Sequence, residues 1–437
     1  MLDFLVPGSV TSTCIVGLVA GLIVYWAVQK WKYKYPPGPS GLLLLGNILQ
    51  IDQYKLHEQA FEWSKKYGPV ITVGTDPVPV VIVNTIETAM EVLLKRSRDF
   101  AGRQLLPSFD VLTYGGKNIT VANYSPTWKL HRLISAKALG FRFKEKEVKY
   151  LLGKEEYVLK ELGIRTWEDF IPGLKYVYKS NTFKIMEEFV KDVIGGHSNN
   201  VRHFTDTLIL AGMDAWKEEE GAEILKSLTD QHLVLILLDI FFAGIDTSKL
   251  TLTGAILHMV AFPDIQNRVQ EEIDRVVGRD RLPGINDRPN LGYTEAVLHE
   301  SMRLGTVAPL EIPHMTMCDT EVAGYRIPKG TSVIVNHWAL HHDPDAWNDV
   351  DRFIPERYLD ENGKLGPKPK NWLPFSAGKR VCLGEFVAKP QLYLIFACLM
   401  QRYKWRMISG KSPDLTEVGG INGLSYKSYK VIVEKRI

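Results

Sequence analysis

A single cysteine, Cys382, lies in the run FSAGKRVCLG (375–384), flanked by Gly378 and Gly384 and close behind Lys379 and Arg380. Free cysteines in globular proteins are mostly small buried hydrophobes and need no such setting. The glycines permit left-handed or crowded backbone, so a loop can press flat against a large ligand. GEFVA then opens a helix, whose N-terminal dipole together with Lys379 and Arg380 favours a thiolate. A cysteine held as an anion at a loop–helix junction is a metal ligand or a nucleophile. A phosphatase-like nucleophile requires an arginine downstream in a phosphate loop, and LGEFVAK has none. A thiolate ligand to haem iron fits better, with Arg380 placed to pair with a haem propionate. The plainer alternative is a buried structural cysteine.

Other residues have the chemistry to serve such a site. A long apolar helix carries AGIDTS (243–248) at its middle. A glycine inside a helix costs about 1 kcal/mol, and Asp and Thr are poor formers too. Together they predict a local widening, with Thr247 bonding back to a carbonyl. One reading is an irregularity tolerated against a packed neighbour. The other is an oxygen-binding groove in which Asp246 and Thr247 relay protons. Glu300 and Arg303 stand at i and i+3 on one helix face. Alone, such a pair is an exposed contact worth a few tenths of a kcal/mol. With Arg357 of FIPERYLD (353–360) it can close into a buried, bidentate network beneath the cysteine loop. Trp128 and Arg132, four apart in PTWKLHR, both can donate to a carboxylate, and Arg103 and His314 are further candidates for the same anions. Each of these taken singly is an ordinary surface or core residue. His341 and His342 are adjacent, point different ways and read as structural.

The elements that must position these groups are mostly helical. One helix is expected over 227–262, closed by Pro263; at ~1.5 Å per residue it crosses a whole domain. PDIQNRVQEEIDRVVG (263–278) starts with Pro and Asp and stops at Gly278. YTEAVLHESMRL (293–304) is a third helix. PVITVGT (69–75) and VPVVIVN (78–84) alternate as a strand pair, and short strands fit 321–330 and 331–336. The fold class is therefore mainly α with small β regions. The 437 residues are 45% apolar, enough for a sizeable core, and the net charge of +3 gives no argument for a nucleic-acid partner. Cys14, Cys318, Cys382 and Cys398 are far apart with no CxxC pair, against a disulfide framework or structural zinc. Phe4 to Val28 holds no charge, while Lys30, Lys32 and Lys34 follow it. That predicts an uncleaved transmembrane anchor over 1–30 with the remainder cytosolic. The acidic start and the missing basic n-region count against a cleaved signal. Cytosolic placement would leave the sequons at Asn118 and Asn123 unmodified. PPGPSG closes a basic, Pro-rich hinge over 31–41, and 42–437 reads as one catalytic domain.

FSAGKRVCLG, AGIDTS, ESMR, FIPERY and WKLHR together resemble the cytochrome P-450 haem-thiolate monooxygenases, from the anchor to the C-terminus. The anchor and hinge resemble the microsomal branch. TVAPLEIPH (306–314) and NHWALHHDPDAWNDVDRFIPERYLD are most similar to the steroid 17α-hydroxylase/17,20-lyase group. The resemblance implies one haem b with Cys382 as the axial metal ligand, and a cytochrome P-450 fold. It implies propionates held by Arg103, Trp128, Arg132, His314 and Arg380, with Phe375 and Gly384 also at the cofactor. Asp246 and Thr247 would deliver protons, and Leu112, Ala243, Gly244, Val307, Ala308 and Leu424 would line a pocket for a small lipophilic, steroid-like substrate. Electrons would come from NADPH through NADPH-cytochrome P-450 reductase, with cytochrome b5 a further candidate donor, at a face bearing Lys129, Lys137, Lys379 and Lys389. The expected location is the endoplasmic reticulum membrane. Three departures stand out. Between YVLKEL (157–162) and WEDFIPGLKYV (167–177) roughly 50–60 residues, four or five average helices, are missing. Pro390 falls inside the helix after the cysteine and is expected to bend it. Gly305-Thr306 replaces the usual Arg-Pro. The alternative function is an impaired relative that binds haem or lipid without turnover; a haem-free protein with a structural Cys382 is the third reading.

Overall fold

Alternating valines and isoleucines make β1 (Val70–Thr75) and β2 (Val78–Val83), paired antiparallel with Ile71 opposite Ile82. The computed structural model describes residues 35–42, 46–75, 78–105, 107–138, 229–420 and 423–436, with isolated positions before residue 30. Ahead of β1 runs α1 (Leu56–Tyr67), and behind β2 come α2 (Ile86–Met90), a π-helical turn over Glu91–Lys95, β3 (Gly102–Arg103), α3 (Pro107–Leu112) and α4 (Pro126–Ala138). The long helix is α5 (Asp230–Ala261), followed at once by α6 (Pro263–Val276). Pro263 removes no helical donor that α6 needs, and Asp264 suits its positive end. Then come α7 (Gly292–Gly305), β4 (His314–Met315), β5 (Thr320–Val322), β6 (Tyr325–Ile327), β7 (Ser332–Val335) and α8 (His337–His341). After the cysteine loop, α9 (Glu385–Arg402) leads into β8 (Tyr403–Met407), β9 (Glu417–Gly420), β10 (Gly423–Tyr426) and β11 (Val431–Lys435).

The strands form one five-stranded sheet in the order β1-β2-β7-β4-β3 and three separate pairs, β10-β9, β11-β8 and β5-β6. β7 joins β2 in parallel, Val333 opposite Val81, so the chain returns from the helical part to the sheet of its own N-terminal region. The helical core packs Ala255 and Met259 of α5, Val269 and Ile273 of α6, Val297 of α7, and Phe396 and Met400 of α9. A second core under the sheet joins Val70, Val81, Val83, Leu93, Phe100, Val333 and Val335. The proline hinge lies along β1: Thr72 N–H donates to Pro37 O, and a Cβ on Gly38 would stand 2.0 Å from Thr72 O.

The expected anchor over 1–30 and the expected missing helices near 162–167 lie outside the described residues. Among the described residues no helix is long and apolar enough to cross a membrane. Pro390 sits inside α9, which continues past it as one helix from Glu385 to Arg402 rather than ending there. It leaves the Phe386 carbonyl without its helical donor, and Phe386 is an exposed residue where water can serve instead.

Candidate functional site

The cysteine loop is closed by its own backbone. Cys382 N–H donates to Phe375 O at 2.9 Å, and a 3₁₀ turn over Gly378–Arg380 bonds Val381 N–H to Gly378 O. Gly378 has φ 74°, and a Cβ there would stand 1.8 Å from Leu93 O, so no other residue fits. Gly384 is different. Its φ of −81° is right-handed, and a Cβ would stand 3.9 Å from Cys382 Sγ, an ordinary contact. The left-handed or crowded backbone expected at Gly384 is therefore absent; that residue serves as the N-cap of α9.

Cys382 is exposed to solvent on one side, as a ligand must be, although the surrounding protein still pushes its thiol up. Opposing this are the backbone N–H groups of Gly384 and Glu385 and the charge of Arg132. Lys379 and Arg380, expected to favour the thiolate, are turned elsewhere. Lys379 lies over the Tyr124 ring at 5.3 Å, and Arg380 donates to the carbonyls of Ala101 and Ala122. A sulfur in this setting becomes an anion by binding a metal cation, not through its side-chain neighbours alone.

Beside the loop stands a nest of guanidinium groups. Arg103 on β3 donates to Thr120 O, Ile312 O and Pro313 O, and Arg132 on α4 donates to Val381 O at 2.5 Å. Arg380 lies 4.2 Å over the Trp128 ring, and Arg132 5.5 Å over it. The Trp128 indole N–H, expected to be free for a carboxylate, is spent on Ile119 O at 2.9 Å; the residue offers its ring face instead. Burial, then repulsion from Arg103 and Arg132, lowers Arg380 to about 9, and burial lowers Arg103 to about 10. His314 Nδ1 faces Phe100 O at 2.6 Å and its Nε2 lies 3.1 Å from Glu311 Oε1. Neutral carbonyls take most of the guanidinium bonds, and Glu311 is the carboxylate acting on both Arg103 and Arg380. Three guanidinium charges less one carboxylate leave two, the complement of two propionates. The donor set fits haem b.

Midway along α5 the helix stays α-helical through AGIDTS, so the expected widening does not interrupt it. Thr247 Oγ1 does bond back, to Ala243 O at 2.5 Å, and Thr251 Oγ1 bonds to Thr247 O at 2.8 Å. Asp246 is half-buried with Lys249 Nζ 3.9 Å away. Ala243, Gly244, Thr247 and Ala308 are exposed, and Leu112 and Val307 half-buried. Leu424 is buried, its N–H bonded to Val307 O at 2.9 Å. Phe375 is half-buried with Lys389 Nζ 5.1 Å over its ring.

Beneath the loop, Arg303 forks onto Glu300, Nε to Oε2 and Nη2 to Oε1, both at 2.9 Å, with both side chains fully buried. Arg357 Nε reaches Glu300 Oε1 at 3.3 Å. Arg303 Nη1 donates to His341 O, and His341 Nε2 accepts from Leu373 N–H just ahead of the cysteine loop. His342 stacks on Trp338. Thr306, where the Gly-Thr departure occurs, closes α7 with φ 21° and is buried against Arg303 O and His341.

Two carboxylates with site roles escape a reading of motifs. Asp239 of α5 accepts from Asn118 Nδ2, Ile119 N and Thr120 N within 2.9 Å, though burial still raises its pKa. Glu311 accepts from Ser376 Oγ at 2.8 Å. Each stands alone in an apolar run, LVLILLDIFF and APLEIPH, and such a carboxylate must find a partner. Asn118 is itself buried.

The sequence model described as Cytochrome P450 matches residues 36–166 and 173–433. The Steroid 17-alpha-hydroxylase/17,20 lyase of Gallus gallus is 31% identical, over 85% of this chain and 89% of its own. Cytochrome P450 2D1 of Rattus norvegicus is 31% identical, over 88% of each. A solved zebra fish cytochrome P450 structure with abiraterone superposes with a TM-score of 0.70 at 31% identity, covering 87% of this chain and 100% of that one. The alignment to the Gallus gallus protein runs over 455 positions, more than the 437 residues here, so that relative carries residues without a counterpart. With a cysteine loop open to a metal and a cationic nest beside it, the chain belongs to the cytochrome P450 family of haem-thiolate monooxygenases.

Proposed function

We propose that this protein hydroxylates a steroid-like substrate, with Cys382 as the residue that would hold the iron of haem b. The observation that carries the reading is the loop itself. Gly378 is forced against Leu93, the backbone closes at Phe375, and the sulfur faces outward. When bound, the haem supplies dioxygen activation through a thiolate-ligated iron. The chain's own residues then have defined tasks. Arg103, Arg132 and Arg380 would hold the propionates, with His314 beside them and Trp128 as a platform. Thr247, its hydroxyl anchored on Ala243 O, and Asp246 move protons at the middle of α5. Val307 and Leu424 form one wall, with Leu112, Ala243, Gly244 and Ala308 toward the open side. The steroid preference rests on relatives named Steroid 17-alpha-hydroxylase/17,20 lyase, among them one from Ictalurus punctatus at 32% identity.

Microsomal relatives imply an NADPH-dependent reductase as redox partner and endoplasmic reticulum association, with the single-pass anchor and cytochrome b5 as finer parts of this proposal. Lys379 lines an open recess of about 400 Å³ with Lys95, Arg96 and Arg98, a basic face for an acidic partner. Lys129 is exposed beside it, over Tyr124. Lys389 is less available, being paired with Glu385, and the Lys137 side chain lies outside the described residues. A second reading, haem binding with little turnover, draws on the shortfall against the 455-position alignment.

A carbon-monoxide difference spectrum of the reduced protein tests the haem assignment. A red-shifted thiolate-type Soret band is expected, and Cys382→Ser abolishes it; an unchanged band in the variant refutes the ligand. Turnover with a reductase and a steroid then separates the two readings.

A further inference from the structure

Glu311 sits where a charge is costly. It is buried, and its Oε2 has no hydrogen-bond partner, although His337 Nε2 lies 3.7 Å away. Its Oε1 is occupied by Ser376 Oγ at 2.8 Å and by His314 Nε2 at 3.1 Å. Ser376 belongs to the cysteine loop and is held at φ 59°, a conformation unfavourable for a non-glycine residue. His314 pairs with β3 through Arg103, its partner across the β3–β4 register. One carboxylate therefore touches both the metal-ligand loop and the cationic nest. Removing a buried carboxylate's charge and removing its hydrogen bonds are different perturbations, and the contacts allow them to be separated.

We propose that Glu311 is a built-in third anion of the propionate nest, a positioning residue that sets the nest's charge and so holds down the reduction potential of the haem. The inference rests on the assignment of Arg103 and Arg380 to the propionates. Reduction of ferric to ferrous haem adds one electron, supplied in the assay by an external titrant, and places one more negative charge in the site. A fixed carboxylate opposes that change, and its loss favours the reduced form. A unit charge at the edge of a partly desolvated site shifts such a ratio on the order of tenfold.

The experiment is a spectroelectrochemical titration of the full-length protein carrying haem. The deciding comparison is between His314→Gln and His314→Gln/Glu311→Gln, where the imidazole 3.1 Å from the carboxylate is already replaced by a neutral amide before the charge is removed. The double variant is expected to show a ferrous-to-ferric ratio about tenfold higher at fixed potential, equivalent to ~59 mV for a one-electron couple. Ser376→Ala, which removes the tether and leaves the carboxylate, is expected to stay near the wild-type midpoint. Equal midpoints in the paired variants overturn the proposal. So does a Ser376→Ala shift as large as that from Glu311, which would make loop geometry the cause. If the double variant fails to load haem, the same comparison is made with Glu311→Gln and Glu311→Asp. Only the first shifts upward if charge is the cause, and matched midpoints overturn the proposal. Failure of the haem assignment is distinguishable, since wild-type protein would then lack the thiolate-type band before any titration.

Discussion

Replacing Arg303 with leucine should unseat the cysteine loop from a distance. Arg303 makes five donations: two to Glu300, and one each to the carbonyls of His341, Val350 and Arg352. Without it, Glu300 remains a fully buried carboxylate with weaker support from Arg357 Nε at 3.3 Å, Tyr358 OH at 3.3 Å and Ile354 N–H at 3.0 Å. Breaking one side of such a pair costs roughly 3–5 kcal/mol. At ~2.1 cal/mol/K per residue, the about 390 residues matched to the family give an unfolding entropy of ~0.8 kcal/mol/K, so the melting midpoint falls by roughly 4–6 °C. The assay is a thermal scan of the reduced carbon-monoxide complex at one scan rate, because unfolding at this size is governed by rates. The thiolate-type band should also be lost sooner, since His341 links Arg303 to Leu373 and thence to the loop. The double variant Glu300→Leu/Arg303→Leu removes both charges and should lose less than the two single variants together. A midpoint within about 1 °C of wild type for Arg303→Leu, or a double variant as damaged as the sum, refutes the reasoning.

Thr247→Ala removes the hydroxyl bonded to Ala243 O and should leave the Soret band intact while diverting electrons to peroxide; unchanged product per NADPH would end the relay assignment. Asp239→Asn leaves one acceptor oxygen for three donors, a loss of about 1–3 kcal/mol, visible as a melting midpoint lower by roughly 1–4 °C. An unchanged midpoint would show that water satisfies residues 118–120. Stability should fall with acid in two stages. Burial lowers His131 to about 4 and His258 to about 3, so the unfolded chain binds protons that the fold does not, and stability drops from pH ~6.5 down toward those values. Burial would raise Glu295, but Arg288 and His299 hold it at about 2; its contribution is complete above pH ~4.5 and lost toward 2. His131→Phe should flatten the first stage and Glu295→Gln the second, as read from melting midpoints across pH.

What could be read in advance follows how local each cause is. Alternation in VITVGT and VPVVIV specifies a strand pair, and Pro263 separates two helices, because both effects act within a few residues. The Glu300–Arg303 spacing is a helix-face property, so the fork was foreseeable, and Arg357 needed only to arrive. Side-chain direction was not foreseeable. Lys379 and Arg380 are three and two residues from Cys382, yet they serve Tyr124, Ala101 and Ala122, because a 3₁₀ turn points them away from the sulfur. Gly384 has the composition of a left-handed corner but is used as a cap. Trp128 has a donor suited to an anion, and the nearest acceptor was a backbone carbonyl that sequence cannot place.

Asp239 and Glu311 show where a sharper rule lies. A carboxylate in an apolar helix or strand entry is costly unless tertiary structure supplies donors, so its need for a partner is legible even when the partner is not. Their partners are distant, residues 118–120 for Asp239 and Ser376 for Glu311, and each bond joins elements that local pattern treats as unrelated. Asp239 fixes the segment that leads into Arg103's contacts at Thr120 and Asn123. Glu311 fixes the loop that carries the cysteine. Both therefore act on the cofactor site from outside its motifs. A chain with every family motif but apolar residues at these two positions would need other means to hold residues 118–120 and Ser376 in place.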